Sequence, residues 1–177
     1  MPVKTSLKSC KKQHGFTLFE LVVVVLLVGV FMIFAIDRML RIQIAAERVS
    51  VQQTVAALKS AISLQTAEFV LSQGLASIET LNNTNPMNYL QELPYNYIGL
   101  KNYHQASQYP SASWYYDPQL KVLVYTVKNG NSFVSSVAGT PRIRLKIDMV
   151  YQGEVRREDK IRGVSLQSID DYFWKYD

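Results

Sequence analysis

One long apolar run dominates the start of the chain. Between Phe16 and Ile36 the only charged side chain is that of Glu20, and from Leu21 onward the run carries neither charges nor strong hydrogen-bonding side chains. At about 1.5 Å per residue, a helix over this range is roughly 30 Å long, which matches a hydrocarbon core of about 30 Å. The pattern therefore predicts a membrane-spanning helix over residues 16–36.

Beyond Asp37 the apolar positions thin out into a stripe with the spacing of one helix face. The stripe consists of Val51, Val55, Leu58, Ile62 and Phe69. Polar residues fill the other positions, and Gly74 is a typical helix stop. We predict one helix from Phe16 to about Ser72, whose amphipathic half at 37–73 packs on a sheet. A coiled-coil seam is the alternative, but the heptad pattern is short and broken.

The rest of the chain divides into an irregular part and a strand-rich part. Residues 74–119 are interrupted by prolines and asparagines and are predicted to form a long irregular connection. Strand patterns begin at Trp114 and dominate residues 120–177. The clearest is Arg142–Met149, where apolar and charged side chains alternate as in a strand with one buried face. Together these patterns predict an α+β fold, in which the long amino-terminal helix packs on a carboxy-terminal antiparallel β-sheet.

Turn signals suggest how the strands are connected. Asp117-Pro118 and Asn129-Gly130 are typical turn pairs and predict a meander. Two further segments, Glu154–Arg157 and 160–166, are expected to end the sheet, and the tail around Trp174 to cover one of its edges. The tyrosines of the irregular part could form a glycan platform, but packing against the sheet is the expected role.

Charge is concentrated ahead of the apolar run. Of the 19 basic residues, four lysines lie before Gly15, where there is no acidic residue, so the remaining 15 basic residues face 14 acidic ones and the net charge falls from +5 to +1. The positive-inside bias places the amino terminus in the cytoplasm and the bulk of the chain on the other side of the membrane. Because the basicity belongs to the leader, we predict no nucleic-acid binding.

Candidate chemistry is sparse. The only cysteine, Cys10, and one of the two histidines precede Gly15, which leaves His104 as the one later histidine. A triad around His104 lacks a nucleophile motif, and no zinc-ligand spacing is present. Asp170, Asp171 and Asp177 could supply oxygen ligands for calcium, but no loop motif organises them. We therefore predict no catalytic residue, no metal, no cofactor and no enzymatic activity.

The start of the apolar run resembles a known processing site. The string Lys11-Lys12-Gln13-His14-Gly15-Phe16-Thr17-Leu18-Phe19-Glu20, followed by the apolar run, is similar to the leader junction of type IV prepilins and type II secretion pseudopilins. The resemblance implies that prepilin peptidase removes residues 1–15, cutting between Gly15 and Phe16, and N-methylates Phe16. It also implies that Glu20 stays in the bilayer and acts in assembly. Family members commonly have a helix-weakening proline where this chain has Asp37, so the helix is expected to run straighter.

The family resemblance carries further expectations about function. An α-amino group on Phe16 and the Glu20 carboxylate, one helical turn apart or on neighbouring subunits, would offset each other's desolvation. The phrases at 85–90, 94–99 and 114–125 look like those of minor pilins or pseudopilins, with a mannose-sensitive haemagglutinin-type pilus as one candidate setting. The implied partners are the membrane, prepilin peptidase, other pilin or pseudopilin subunits, an assembly platform and its ATPase. The expected product is a pilus or a pseudopilus.

Two other interpretations of the amino terminus are open. An ordinary signal peptide has a basic start too, but here the apolar core ends in charged residues, and Ala45-Ala46 is a poor cleavage site. An uncleaved single-pass inner-membrane protein with a periplasmic binding or sensor domain is the second alternative. Against it stands Glu20, since a carboxylate within an apolar span is costly and calls for a partner.

Overall fold

A single long helix leads into the folded part of the protein. The computed structural model describes residues 17–151 and 161–175. The helix, α1, runs over Leu18–Gln73 without interruption, including at Asp37. It ends where Gly74 adopts a positive φ of 86°, a conformation that favours glycine. The predicted helix is thus confirmed over its described residues, and its end at Gln73 lies one residue beyond the predicted one.

The chain divides into two compact units with the boundary between Ile42 and Gln43. The second unit contains a five-stranded sheet in the order β1-β2-β3-β5-β6 and a two-stranded sheet of β4 and β7. Strand β1 is parallel to β2, and the other pairs are antiparallel. The strands are β1 Tyr97–Leu100, β2 Ser113–Asp117, β3 Val122–Thr126, β4 Phe133–Ser135, β5 Arg142–Tyr151, β6 Ile161–Ser168 and β7 Tyr172–Trp174.

The core lies between one face of α1 and one face of the sheet. Val51, Leu58 and Ile62 are the buried residues of α1, as the apolar stripe predicts. They share a cluster with side chains from alternate positions of β5, including Ile143 and Ile147. Because full burial of such a side chain stabilises the fold by about 1.5–3 kcal/mol, this interface is a main source of stability. The α+β class and the helix-on-sheet packing are confirmed.

Two expectations about the sheet need correction. The predicted irregular connection contains strand β1 in addition to 3-10 helices at Leu75–Leu81, Pro86–Tyr89 and Tyr103–Gln108, whereas β2 agrees with the strand pattern predicted from Trp114. Asn129-Gly130 is not a hairpin turn of a meander, because β3 pairs with β5 while the chain between them forms β4 in the second sheet. In β4 the buried Phe133 contacts the rings of Tyr172 and Trp174 on β7, which keeps this short strand on the core. Segment 154–157 lies outside the described residues.

The aromatic residues of the connection mostly pack, in line with the expectation for them. Trp114, Tyr115 and Tyr116 of β2 are all buried. Tyr115 belongs to a small cluster on the sheet face that is turned away from α1, where Tyr109 makes an edge-to-face contact with it. On the other face the hydroxyl of Tyr116 donates to the carbonyl of Asn83 at 2.9 Å. These contacts bind the connection to both faces of the sheet.

Candidate functional site

The amino-terminal end of α1 is capped by Thr17. Its carbonyl oxygen accepts the N–H of Leu21 at 3.1 Å, and its side-chain Oγ1 accepts the N–H of Glu20 at 3.2 Å. The first N–H groups of a helix have no partner within the helix, and inside a bilayer an unsatisfied one costs several kcal/mol. A threonine three residues before a glutamate is the sequence signature of a capping box. The cap was not predicted above, although Thr17 and Glu20 have the spacing of this signature.

Glu20 lies in the first turn of α1 and is exposed. The partial positive charge at a helix amino terminus favours a carboxylate in this position. Among residues 17–151 and 161–175, no side chain pairs with the Glu20 carboxylate, and the hydrogen bond at this residue is made by its backbone N–H. The proposed processing residues Gly15 and Phe16 lie outside the described residues. The arrangement leaves the Glu20 carboxylate available to a partner from elsewhere.

From Leu21 to Ile36, the part of α1 that follows Glu20 carries no polar side chain. Within the described part of the chain, α1 is the one helix that is long and apolar enough to cross a membrane, and none of its apolar window is buried. Leu18 is 81% exposed and Phe31 is 70% exposed. Apolar side chains exposed on this scale are the signature of a surface that is covered by lipid or by other helices.

Charged residues mark the end of the apolar run. Arg41 donates to the Asp37 carboxylate at 2.8 Å, in an ion pair one helical turn long. Both side chains are more than half exposed, so the pair contributes little to stability. The pair instead indicates where the membrane-spanning part of α1 would end, because two paired charges are tolerated at a membrane surface much better than inside the hydrocarbon core.

A second polar cluster, within the folded unit, joins α1 to the chain that follows β3. The Oε1 atom of Glu47 accepts from the Tyr125 hydroxyl at 3.0 Å and from the Lys128 N–H at 2.7 Å. Its Oε2 atom accepts from the Asn129 N–H at 3.0 Å and from Asn129 Nδ2 at 2.6 Å. We call these four residues the Glu47 cluster. The Glu47 cluster was not predicted from the sequence, although Glu47 lies one turn before Val51 on the buried stripe.

The Glu47 cluster also affects the acidity of its tyrosine. Burial raises the pKa of Tyr125 well above its ordinary value, and the negative charge of Glu47 and the hydrogen bond to it act in the same direction. The phenol therefore stays protonated and remains a donor to the carboxylate. Tyr125 is itself only 3% exposed and its ring packs on Trp114, with centroids 4.8 Å apart.

The acidic residues considered for calcium do not converge in the described chain. Asp170 accepts two hydrogen bonds from the guanidinium of Arg144, and Asp177 lies outside the described residues. Over residues 17–151 and 161–175 there is no group of three or more His, Cys, Asp or Glu side chains that could hold a metal ion. The side chain of His104 also falls outside what the structure describes.

Comparison with known proteins gives one family match. Residues 10–36 match the family model described as the prokaryotic N-terminal methylation motif. No curated protein and no solved structure matches the chain. The matched range contains Gly15, Phe16 and Glu20, and its second half lies in the apolar part of α1. The motif is that of a prepilin-type substrate of prepilin peptidase. With this motif followed by a long apolar helix on a mostly antiparallel sheet, the chain fits the type IV pilin and pseudopilin family.

Proposed function

We propose that the chain is a minor pilin or pseudopilin, a non-enzymatic subunit that assembles into, or initiates, a pilus or a type II secretion pseudopilus. The observation that carries the proposal is the methylation motif at residues 10–36, which runs directly into the exposed apolar part of α1. Processing at this motif would create a new amino terminus, which in the proposed function takes part in assembly. The apolar helix provides the surface through which that action takes place.

The proposed processing step is cleavage between Gly15 and Phe16, followed by N-methylation of Phe16. Removal of residues 1–15 would take away four lysines and lower the formal net charge from +5 to +1. It would also leave the new α-amino group directly before Thr17, the residue that caps α1. A positive charge would thus be created within about one turn of Glu20.

In the proposed assembly step, Glu20 pairs with the α-amino group of Phe16 on a neighbouring subunit. Each charge alone is costly in the hydrocarbon region, and pairing offsets that cost. Contact between apolar side chains is non-directional, so the charge pair sets the register between helices. The exposure of Glu20 in the described chain supports this role.

The proposed topology has the leader in the cytoplasm, residues 16–36 in the inner membrane and the domain from residue 37 in the periplasm. The lysines before Gly15 support this orientation. An assembly platform and its ATPase would lift the processed chain into the filament. Three features support a minor subunit. They are the phrases at 85–90, 94–99 and 114–125, which resemble those of minor pilins or pseudopilins, Asp37 in place of the common proline, and a processed chain without cysteine.

The experiment that tests the proposal is an intact-mass measurement on the full chain, produced with and without a prepilin peptidase. We expect the peptidase to remove residues 1–15 and to add one methyl group to Phe16. A Gly15→Val variant is the matched control and should keep its full mass, because a branched side chain replaces the small residue at the cut. An unchanged mass of the wild-type chain would favour the uncleaved single-pass membrane protein instead.

A further inference from the structure

Glu47 occupies a position on α1 that the packing pattern reserves for an apolar side chain. Counting back along the buried face from Val51, the preceding positions of the stripe are Glu47 and Ile44. Ile44 packs against the hydrophobic core, as a member of the stripe should. Glu47, which is half-buried, instead directs its carboxylate towards β3 and the residues after it.

The contacts of Glu47 differ from those of a surface charge. It makes hydrogen bonds to residues 78 to 82 positions away in the sequence, and three of the four donors belong to Lys128 and Asn129. Two of these donors are backbone N–H groups, which need an acceptor when they are removed from water. Hydrogen bonds to an ionised acceptor are roughly twice as strong as neutral ones. One side chain therefore fixes both the end of β3 and the turn after it.

Glu47 also lies close to the point at which the folded unit begins. The boundary between the two compact units falls between Ile42 and Gln43, about one helical turn before Glu47. Within the folded unit, Ile44 and Glu47 are two residues through which the first two turns of α1 contact the rest of the unit. Ile44 supplies non-directional apolar contact, whereas the four hydrogen bonds of Glu47 define one geometry.

We propose that Glu47 is a positioning residue, which fastens the first turns of the domain's helix to the β3–β4 connection so that helix and sheet enter a filament as one rigid part. The inference rests on the proposed function for its role in assembly. Its structural half, the fastening itself, is independent of that function. The two halves can therefore be tested separately.

The fastening is tested by hydrogen exchange on the full chain in lipid nanodiscs. In Glu47→Ala, the amides of Lys128 and Asn129 should exchange at least about tenfold faster than in wild type, because each loses a charged acceptor. In Glu47→Gln only one carbonyl oxygen remains, and the new NH2 group cannot accept from a backbone N–H. We expect one of the two amides to lose protection in that variant while the other keeps it. Unchanged exchange in both variants would overturn the proposal.

Two control variants separate the fastening from charge and from stability. Glu68→Gln removes a carboxylate from an exposed site on the same helix and should leave exchange at residues 128 and 129 unchanged. Ile147→Val removes one methyl group from a fully buried site on β5, opposite Leu166 of β6, and lowers stability at a position that is not paired with a residue of the Glu47 cluster. Near-ultraviolet circular dichroism shows whether Glu47→Ala folds. If Glu47→Ala does not fold, Tyr125→Phe is used in its place, since it removes one donor of the cluster and leaves the other three.

The role in assembly is tested by incorporation of each variant into sheared filaments, in cells that also express wild-type subunits and prepilin peptidase. We expect Glu47→Gln to be cleaved normally but incorporated at least severalfold less than Ile147→Val. Equal incorporation of these two variants would mean that only stability matters and would overturn the positioning role. If wild type itself is cut but never incorporated, the proposed function and the assembly role fall together, while the exchange result still decides the fastening.

Discussion

Arg144 on β5 and Asp170 after β6 form a two-point ion pair, in which Nε and Nη2 of the arginine donate to the two carboxylate oxygens. The pair is largely shielded from water, with the side chain of Asp170 only 10% exposed. The Arg144 carbonyl also accepts the N–H of Ile169 at 3.0 Å. These contacts fix the path of the chain from β6 to β7, and they predict that the pair is important for stability.

Replacing Asp170 by asparagine should destabilise the domain by about 1.5–3 kcal/mol, the usual worth of a hydrogen bond to a charged group. The loss leaves a shielded guanidinium without its counter-charge. Asp171→Asn, at the neighbouring exposed acid, is the matched control and should change the free energy of unfolding by no more than about 0.5 kcal/mol. Urea denaturation of the full chain in detergent micelles, followed by tryptophan fluorescence, measures both. Equal losses would contradict the prediction.

Three buried or half-buried tyrosines predict a loss of stability in alkali. Burial raises the pKa of Tyr116, Tyr125 and Tyr172 above the ordinary value, which is about 10 for an unfolded chain. Below that pH both the folded and the unfolded chain keep these protons, so the contribution of the tyrosines to the free energy of unfolding does not change with pH. Above it the unfolded chain loses them first and the free energy of unfolding falls as pH rises. Urea denaturation between pH 8 and 11 checks this, and Tyr125→Phe should make the fall less steep.

The cap at the start of α1 predicts a difference between two substitutions of Thr17. Thr17→Ala removes the Oγ1 acceptor of the Glu20 N–H, and the loss of a cap costs about 1 kcal/mol in ordinary helices. Thr17→Ser keeps the hydroxyl and should behave like wild type. The measurement is hydrogen exchange at Glu20 in nanodiscs, where we expect faster exchange in the alanine variant alone. Equal protection in all three chains would show that the cap is not needed.

Lys121 predicts a stabilising substitution, because its φ is 56°, in the left-handed region. An L-residue pays about 1–2 kcal/mol for this conformation, whereas glycine adopts it freely at an entropic cost of about 0.5–1 kcal/mol. Lys121→Gly should therefore raise the free energy of unfolding by roughly 0.5–1 kcal/mol. Lys121→Ala removes the same charge but keeps the Cβ atom, and it should bring no gain. Thermal unfolding followed by circular dichroism compares the two.

Glu20 predicts a separation of cleavage from incorporation. Glu20→Ala should be cut by prepilin peptidase like wild type, since the cut lies upstream, but it should enter filaments poorly because its register contact is lost. Glu68→Ala removes a carboxylate from the exposed face of the same helix and serves as the control. Mass spectrometry reports the cut, and the sheared filament fraction reports incorporation. If Glu20→Ala chains enter filaments as well as wild type, the assembly role of Glu20 is wrong.

The sequence predicted those elements whose periodicity is long and regular. The alternation in Arg142–Met149 predicted the buried face of β5 because four apolar positions in succession agree. Strand β1 was missed, since four residues containing a glycine carry too little pattern to be recognised. The pairing of β4 with β7 joins two three-residue strands that are far apart in sequence, and only the tertiary packing of their aromatic rings selects it.

The same limit applies to the functional residues. Glu20 stood out because a charge within an apolar run has few structural explanations. Glu47 did not, because a charge in an amphipathic helix is usually a solvated one. Its position on the stripe is visible only when the stripe is continued backwards from Val51, and its partners lie about 80 residues away. Contacts between residues so far apart in the sequence depend on how the sheet folds, and they leave no pattern in the sequence around Glu47.

One edge of the five-stranded sheet is poorly suited to pairing with a neighbouring molecule. Strand β1 forms that edge, and its register shifts between Tyr97 and Leu100 around Gly99, whose φ is 83°. A bulged, four-residue edge offers a neighbour no regular row of free N–H and C=O groups to pair with. This edge is thereby protected from pairing with a strand of a neighbouring copy.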